Sequence, residues 1–485
     1  MQKGRGKLKK ILYVGSECMP FAATGGLGDV MGSLPAALKA EGGDETDARV
    51  VIPLYDAIGS QWREQMQCEA VFEVYLGWRR QYCGVHSLVK DGVKYYFIDN
   101  EYYFKRGSLY GQYDDGERYA YFCMAVMEML WRVDFLPDII HANDWQAALS
   151  IVYYNLYYKL RRGYHNIKTV FTIHNIEYQG KYSMEILKDV FGIEWNEVPL
   201  MEYGGCINLM KAAIKCADRV TTVSPRYAGE IQSSEYAHGL EAVLREENHK
   251  LCGILNGIDC AYYDPERDAE LAAHYTAEDP AGKAEDKRAL QRELGFEESD
   301  APMFSIISRL VSHKGTDLVK DIAYKMMGEQ NAFLVVLGTG DRQYEDFFRQ
   351  LERDFPGKVR ALIKYDRALS KRIYAASDYF IMPSKSEPCG LSQMIASRYG
   401  AVPIVRETGG LYDSIKGYWV CDGEIRGNGF TFANYCSWEL YDRICAAVTL
   451  YYDKAAFGGL RKKVMTEDFS WRTSAKSYMG LYRYM

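Results

Sequence analysis

Two basic side chains follow one predicted strand at a spacing that suits a diphosphate. The apolar run Met303–Ile307 is followed by Arg309 and then by Lys314. Arginine carries a fixed, planar fork of donors and lysine carries a mobile point charge, and such a pair can hold two linked phosphates. The alternative is that both are ordinary solvated charges, so the assignment depends on residues elsewhere in the chain.

Polar residues also stand near the ends of other predicted strands, where open α/β sheets bind their ligands. These residues are Asp144, Trp145, His174 and Glu387. Each has a simpler explanation alone, because a single histidine is more often structural and Asp144 could cap a helix that begins at Trp145. Together with the basic pair they favour one site built from strand ends in both halves of the chain.

The tetrapeptide Thr-Gly-Gly-Leu occurs twice, at Thr24–Leu27 and at Thr408–Leu411. Each copy follows an apolar run and precedes a helical pattern. Glycines let a backbone approach a ligand, and the first N–H groups of a helix attract an anion. The alternative is two unrelated turns. If both copies are anion cradles, they indicate two similar α/β domains that face one cleft.

Absent motifs narrow the choice of chemistry. The sequence contains no G-x-x-x-x-G-K-[ST] phosphate loop, no strand followed by G-x-G-x-x-G, and no Asp-x-Asp. These absences disfavour a phosphate-loop nucleotidase, a nicotinamide enzyme and the metal clamp of one class of sugar-nucleotide enzyme. The sequence therefore predicts a diphosphate site without metal or cofactor, which relies on Arg, Lys and helix N-termini.

Composition limits the class of protein and its partners. A length of 485 residues predicts two domains, and a net charge of −6 with a pI near 5.9 argues against a nucleic-acid partner. The 12 cysteines include no C-x-x-C and fit a reducing compartment. We expect no membrane span, and we interpret the basic segment 3–10 as a lead-in to the first strand rather than a signal peptide. The expected location is the cytoplasm.

Short apolar runs separated by helical patterns predict parallel sheets that are covered on both faces. The segment from Asp264 to Asp300 is charged and predicts helix and loop, and a run at Leu251–Leu255 predicts the start of a second sheet. The predicted strands are Ile11–Val14, Arg49–Ile52, Tyr95–Ile98, Ile139–His141, Thr169–Ile173, Val220–Val223, Met303–Ile307, Ala332–Leu337, Val359–Ile363, Tyr379–Met382 and Val402–Val405.

Ordered motifs along nearly the whole chain resemble those of the bacterial glycogen synthases and plant starch synthases. The resemblance implies an α/β fold of the GT-B class, with two Rossmann-like domains whose parallel sheets face a deep interdomain cleft. It implies an acceptor-side domain at 1–250, a nucleotide-sugar domain at 251–470 and a helix at 471–485 that crosses back onto the first domain. The motifs are Thr24–Val30, His141–Trp145, Thr172–Asn175, Thr222–Pro225, Leu255–Asp259, Ser308–Lys314, Glu387–Leu391, Thr408–Asp413 and Asp468–Trp471.

The resemblance implies transfer of glucose from ADP-glucose to the non-reducing end of an α-1,4-glucan, with retention at the anomeric carbon. The departing phosphate would take the acceptor proton, and no residue is marked as a nucleophile for a double displacement. By resemblance, the catalytic residues are His174, Glu387, Arg309, Lys314 and Asp144. The substrate-binding residues implied in the same way are Gly25, Gly26, Asp29, Trp145, Asn256, Tyr365, Cys389, Gly390, Leu391 and Thr408.

Two positions depart from the family pattern. Ala23 stands where the family usually has a lysine before Thr-Gly-Gly-Leu, and Gln146 stands where it often has a histidine. One alternative is therefore a GT-B transferase that uses UDP-glucose. One such family has a second glutamate eight residues after the first, where this chain has Ile395. The other alternative is a degenerate glucan-binding paralogue with a regulatory role.

Overall fold

The computed structural model describes residues 9–485, apart from the side chain of Asp44. Residues 1–8, which carry most of the basic lead-in, lie outside that range. The chain forms two compact units. The first unit ends at Asn256 and also includes Trp471–Met485, and the second unit is Gly257–Ser470. The predicted boundary at 250/251 therefore lies slightly before the division in the structure.

The first unit contains a nine-stranded sheet with the order β12-β11-β7-β6-β1-β2-β5-β4-β3 and a small sheet with the order β8-β10-β9. All pairs of the large sheet are parallel except those that involve β4. The strands of the first unit are β1 (Lys9–Val14), β2 (Thr46–Pro53), β3 (Gln67–Leu76), β4 (Arg79–Lys90), β5 (Val93–Asp99), β6 (Ile139–Asn143), β7 (Lys168–Ile173), β8 (Lys181–Tyr182), β9 (Glu202–Tyr203), β10 (Cys206–Asn208), β11 (Arg219–Thr222) and β12 (Leu251–Gly253).

Two features of this sheet differ from the sequence predictions. The hairpin β3–β4 was not predicted; Glu73 interrupts the apolar run of β3, and Val71 and Tyr75 face solvent on the same side of the strand. The run that begins at Leu251 was expected to open the second sheet, and this prediction was wrong. It pairs in parallel with β11, with Val220 opposite Leu251, so it is the last strand of the first sheet.

Helices connect these strands and cover the sheet. The two longest helices begin directly after Gly25 and Asp114. The helices are α1 (Gly26–Gly42), α2 (Ser60–Arg63), α3 (Glu101–Phe104), α4 (Asp115–Arg132), α5 (Asp144–Tyr153), α6 (Ile186–Asp189), α7 (Val198–Met201), α8 (Leu209–Cys216), α9 (Pro225–Glu230) and α10 (Glu241–Glu246).

The second unit contains a six-stranded parallel sheet with the order β15-β14-β13-β16-β17-β20 and a separate hairpin, β18–β19. The five strands predicted in this unit are present. The strands are β13 (Met303–Ile307), β14 (Phe333–Leu337), β15 (Val359–Leu362), β16 (Tyr379–Met382), β17 (Val402–Arg406), β18 (Trp419–Cys421), β19 (Glu424–Arg426) and β20 (Phe430–Phe432). The helices are α11 (Ala281–Leu294), α12 (Thr316–Glu329), α13 (Arg342–Asp354), α14 (Arg367–Ala376), α15 (Ser392–Arg398), α16 (Gly409–Ser414), α17 (Ser437–Tyr452) and α18 (Lys454–Thr466).

Apolar side chains on alternate positions of these strands build a core on each face of the sheet. Leu334 and Val336 belong to one core, whereas Phe333 and Val335 belong to the other. Burial of each such side chain stabilises the fold by about 1.5–3 kcal/mol relative to leaving it exposed. This burial on both faces explains why the continuous apolar runs predicted the strands correctly.

The last helix, α19 (Trp471–Arg483), packs into the first unit through a buried polar network. The Tyr482 hydroxyl lies 2.7 Å from His141 Nδ1 and 2.5 Å from the Tyr13 hydroxyl. Burial lowers the pKa of His141 to about 3 and raises the pKa of both tyrosines well above the ordinary value. The network is therefore made of neutral groups that satisfy one another inside the core.

Tyr482→Phe is expected to destabilise the protein by about 1–3 kcal/mol, because it removes the hydroxyl group that hydrogen-bonds to His141 and Tyr13 in the core. The urea midpoint measures the effect. Tyr484→Phe is the matched control, since the Tyr484 side chain is 87% exposed. Equal midpoints for the two variants would contradict the account of how α19 is held.

Candidate active site

A partly buried ion pair lies beyond the carboxyl ends of β13 and β16. Lys314 Nζ donates to Glu387 Oε2 at 2.7 Å, and Ser384 Oγ donates to the same oxygen at 3.0 Å. Glu387 is only 6% exposed. An ammonium group has three donors, so Lys314 can hold this carboxylate and still bind an anion. The structure therefore brings together two of the residues that the sequence predicted.

Glycines allow the backbone of the Glu387 loop to be packed from two sides. A Cβ at Gly409 would lie 2.0 Å from the carbonyl oxygen of Glu387, and one at Gly410 would lie 2.0 Å from that of Cys389. The Gly410 amide donates to the Glu387 carbonyl at 3.0 Å. On the other side, Gly315 has φ +74° and would meet Pro383 O at 2.1 Å. The second Thr-Gly-Gly-Leu copy thus supports Glu387 and is not the open cradle that the sequence predicted.

The side chain of Gln393 fixes the remainder of that loop. Its amide nitrogen donates to the carbonyls of Cys389 and Gly390, at 3.2 and 2.9 Å. Cys389 is buried, Gly390 has φ +71°, and Leu391 directly precedes α15. These three predicted residues form one rigid turn. Thr408 is fully buried beneath it, and its side chain presents no surface to a ligand.

Arg309 lies on the loop after β13, and the backbone of this loop packs against the loop after β14. A Cβ at Gly338 would lie 1.9 Å from Ser308 O, and one at Gly340 would lie 2.2 Å from Leu310 O. The Arg309 side chain itself is exposed, with Nη2 3.5 Å from His313 Nε2. Its backbone is fixed while its guanidinium can reach a ligand.

Tyr365 lies on the loop between β15 and α14 and is 83% exposed. The neighbouring Asp366 accepts from Leu369 N at 2.9 Å and caps α14, so it holds the loop that carries the ring. An exposed aromatic face at a strand end suits stacking with a planar group.

In the first unit, a buried carboxylate shapes the first Thr-Gly-Gly-Leu copy. Glu17 accepts hydrogen bonds from Thr24 N at 2.6 Å, Thr24 Oγ1 at 2.7 Å, Gly25 N at 3.1 Å and the Tyr110 hydroxyl at 2.6 Å. Gly25 and Gly26 are exposed, and a Cβ at either would have no atom within 4 Å. This copy is therefore an open loop at the start of α1, as the cradle prediction requires.

Two residues beside this copy are Ala23, which departs from the family pattern, and Asp29, which the resemblance implies as a substrate-binding residue. Ala23 packs against α1, because its Cβ would lie 2.3 Å from a Cβ at Gly28. Asp29 is half-buried in the first turn of α1, where a carboxylate interacts favourably with the helix dipole.

Asp144 and His174 lie together at the ends of β6 and β7. Asp144 has φ +59° and opens α5, and its Oδ1 accepts from His174 N at 2.7 Å and Asn175 N at 3.4 Å. Asp144 therefore holds the neighbouring strand end instead of capping its own helix. Burial raises the pKa of Asp144 to about 7, although the two N–H groups oppose the shift.

The His174 ring is held by the residue before Asp144. Its Nε2 lies 2.9 Å from Asn143 Oδ1. Burial lowers the pKa of His174 to about 3, so the ring is neutral at physiological pH. The side chain is half-buried and keeps part of its surface accessible to a ligand.

Three other residues named in the sequence analysis are packed into the first unit. Two were predicted to bind substrate, and the third departs from the family pattern. Trp145 is half-buried, with its ring edge-on to Tyr119 at 5.4 Å between centroids. Gln146 and Asn256 are both buried. Within residues 9–485, neither Gln146 Oε1 nor Asn256 Oδ1 has a hydrogen-bond partner. Buried acceptors without partners are uncommon, and they often occur at functional sites.

Neither a membrane span nor a metal cluster is present in the described part of the chain. No helix in it combines the length and the apolar composition needed to cross a bilayer. No group of three or more His, Cys, Asp or Glu side chains in it could hold a metal ion.

The two units match two family models. Residues 10–246 match the starch synthase catalytic domain, and residues 287–448 match glycosyl transferases group 1. The glycogen synthase of Geobacillus thermodenitrificans is 46% identical, and the match covers 98% of this chain and 97% of that protein. The glycogen synthase of Clostridioides difficile is 46% identical, with 98% and 99% covered. The chain belongs to the glycogen and starch synthase family.

A solved structure supports this assignment. The catalytic domain of starch synthase IV from Arabidopsis thaliana, bound to ADP and acarbose, has a TM-score of 0.89 and 36% identity, with 99% of both chains covered. The predicted GT-B fold class is confirmed, and this member of the glycogen synthase family is a glucosyltransferase.

The sequence did not predict Glu17, Asn143, Ser384 or Gln393 as parts of the site. Glu17, Asn143 and Ser384 each lie at a strand end or within three residues of one, and that position was the available signal for them. Gln393 lies inside a helix, and nothing in the sequence alone distinguishes it. All four hold other site residues in place, and this role becomes visible only once distances are known.

The two glycine loops of this glycogen synthase family member are expected to respond differently to substitution. Gly410→Ala places a Cβ against Cys389 O and should lower the melting temperature and the activity together. Gly26→Ala meets no atom within 4 Å and should leave the melting temperature unchanged. If a ligand approaches the first loop, Gly26→Ala raises the KM for the sugar nucleotide. Unfolding caused by Gly26→Ala, or full stability of Gly410→Ala, would contradict this distinction.

Asp144→Asn is expected to change the pH dependence of stability. The folded-state pKa near 7 lies above the unfolded value, so the folded wild type binds more protons and loses stability as pH rises toward 7. Asparagine keeps an acceptor oxygen and cannot ionise. The difference in melting temperature, variant minus wild type, should therefore be larger at about pH 8 than at about pH 5. Wild type and variant both contain His141 and His174, so the contributions of these histidines cancel in the difference. A difference in melting temperature that does not change with pH would contradict the raised pKa of Asp144.

Proposed function

We propose that this enzyme transfers glucose from ADP-glucose to the non-reducing end of an α-1,4-glucan, with retention at the anomeric carbon. The observation that carries the proposal is the Lys314–Glu387 pair at the strand ends of the second unit, which offers a cation beside a carboxylate. The similar starch synthase IV is described with ADP and acarbose, which supports a nucleotide diphosphate donor and a glucan acceptor.

In the second unit, Lys314 and Arg309 bind the diphosphate and stabilise the charge that develops as it leaves. Fixed positive charge is most effective where the negative charge grows in the transition state. Backbone N–H groups near Leu391 add to this interaction. The exposed ring of Tyr365 stacks on the adenine. Glu387 accepts hydrogen bonds from sugar hydroxyls and positions the glucose.

In the first unit, Gly25 and Gly26 allow the backbone to approach the donor phosphates, and Asp29 supports this contact. His174 binds the glucose with its side chain and its backbone carbonyl. Asp144 and Trp145 contribute to recognition of the acceptor. Asn256 uses its buried amide oxygen to accept a hydrogen bond when substrate is present.

The proposed step is front-face attack by the acceptor 4-hydroxyl while the anomeric bond to the diphosphate breaks. The departing phosphate oxygen takes the hydroxyl proton, so the reaction needs no separate base. The neutral state of His174 agrees with this step, because an imidazole with a pKa near 3 is a poor base. We place the enzyme in the cytoplasm, as its twelve free cysteines suit a reducing compartment.

An assay of nucleotide release tests the proposal. Purified protein is incubated with glycogen and either ADP-glucose or UDP-glucose, and ADP or UDP is measured with time. We expect faster release of ADP. Faster release of UDP would contradict the donor assignment, and no release from either donor at micromolar enzyme would contradict the activity.

Lys314→Ala and Glu387→Gln are each expected to lower kcat by at least about a hundredfold, as when other stabilisers of transition-state charge are removed. Lys325→Ala is the control, because Lys325 forms a surface pair with Glu329 on α12. Melting temperatures separate lost catalysis from lost folding. Near-normal turnover in well-folded Lys314→Ala protein would contradict the role of the ion pair.

A further inference from the structure

Asn143 is a buried amide whose orientation is determined by its surroundings. It ends β6 and is 1% exposed. Its Nδ2 donates to His141 O at 3.1 Å and to Val14 O at 3.3 Å. Both partners are backbone carbonyls, which only accept. The nitrogen of the amide must therefore face these carbonyls, and the oxygen must face the other way.

The orientation of Asn143 determines which ring nitrogen of His174 carries the proton. Asn143 Oδ1 lies 2.9 Å from His174 Nε2. An amide oxygen can only accept, so Nε2 must be the protonated nitrogen. In a neutral imidazole, Nδ1 then carries a lone pair and can only accept a hydrogen bond.

The backbone of His174 is fixed by the next residue in the chain. Asp144 Oδ1 accepts from His174 N at 2.7 Å. Two consecutive residues at the end of β6 therefore hold both the main chain and the ring of His174. A group that recognises a sugar hydroxyl needs this kind of support, since a shift of about 1 Å can lower a rate about a hundredfold.

We propose that Asn143 is a positioning residue that keeps the proton of His174 on Nε2, so that Nδ1 accepts a hydrogen bond from a hydroxyl group of the bound sugar. The proposal deepens the function proposed above and rests on it. Asn143 itself touches no reacting atom. The consequence for specificity is that His174 selects a hydroxyl donor at that position and rejects a group that can only accept.

Nuclear magnetic resonance of the full-length wild-type protein tests the tautomer directly. The chain has eight histidines, so labelling histidine alone with nitrogen-15 gives a tractable spectrum, and His174→Gln identifies the His174 signals by their loss. We expect a protonated Nε2 and an unprotonated Nδ1 at neutral pH. A ring protonated at Nδ1, whether neutral or cationic, would overturn the proposal. This measurement needs no activity and stands even if the donor proves to be different.

A double-mutant cycle tests whether Asn143 acts through His174. We expect Asn143→Ala alone to lower kcat by about 10- to 100-fold, as when other residues that orient a functional histidine are removed. In a His174→Ala background the same change should have little further effect on kcat. Equal effects in both backgrounds would overturn the proposal. Normal turnover of His174→Ala would instead count against the proposed role of His174.

Asn208→Ala is the matched control for the loss of a buried amide. Asn208 is fully buried in the same unit, donates to Gln179 Oε1 at 2.8 Å and caps α8. It should lower the melting temperature without changing the His174 signals, and its effect on kcat should be the same in both backgrounds. We expect Asn143→Ala to change the nitrogen-15 signals of His174. An equally large change in Asn208→Ala would show that any loss of a buried amide disturbs the ring, and it would overturn the specific role of Asn143.

Discussion

The ion pair between Lys314 and Glu387 is the interaction on which the proposed function of the second unit depends. Moving charges out of water carries a desolvation penalty that only close, well-oriented partners offset. The 2.7 Å contact and the additional donor on Ser384 provide that geometry. The loops around the pair pack so closely that a Cβ has no room at Gly315, Gly409 or Gly410.

In the first unit, the candidate site residues at the strand ends are shifted toward neutral forms by burial. Burial lowers the pKa of His174 to about 3 and raises that of Asp144 to about 7, so its central groups tend toward their neutral forms. Positioning comes from directional hydrogen bonds to Asn143 and to the backbone. Charge in the second unit suits a diphosphate, whereas neutral hydrogen-bonding groups in the first unit suit a sugar. Glu17 is an exception, because its carboxylate accepts hydrogen bonds from Thr24 N and Gly25 N and so holds the first glycine loop.

Much of the fold and the main site residues could be predicted from the sequence. Strands buried on both faces produce continuous apolar runs, and the positions near their ends pointed to His174, Arg309, Lys314 and Glu387 as candidate site residues. The hairpin β3–β4 escaped prediction because one of its faces is solvated. The strand at Leu251 was assigned to the wrong sheet, because a short apolar run carries no information about its pairing partner. The two glycine loops share the sequence Thr-Gly-Gly-Leu, and only the residues that pack around each loop show that one is closed and the other is open.

The affinity for ADP tests most directly whether Lys314, which is held by Glu387, binds the donor diphosphate. Isothermal titration of wild type and Lys314→Ala with ADP, and with adenosine as the ligand that lacks phosphate, separates the phosphate contact from base stacking. The account predicts that the variant binds ADP at least about tenfold more weakly, a difference of about 1.4 kcal/mol, while adenosine binding is unchanged. Equal ADP affinity in a well-folded variant would contradict it.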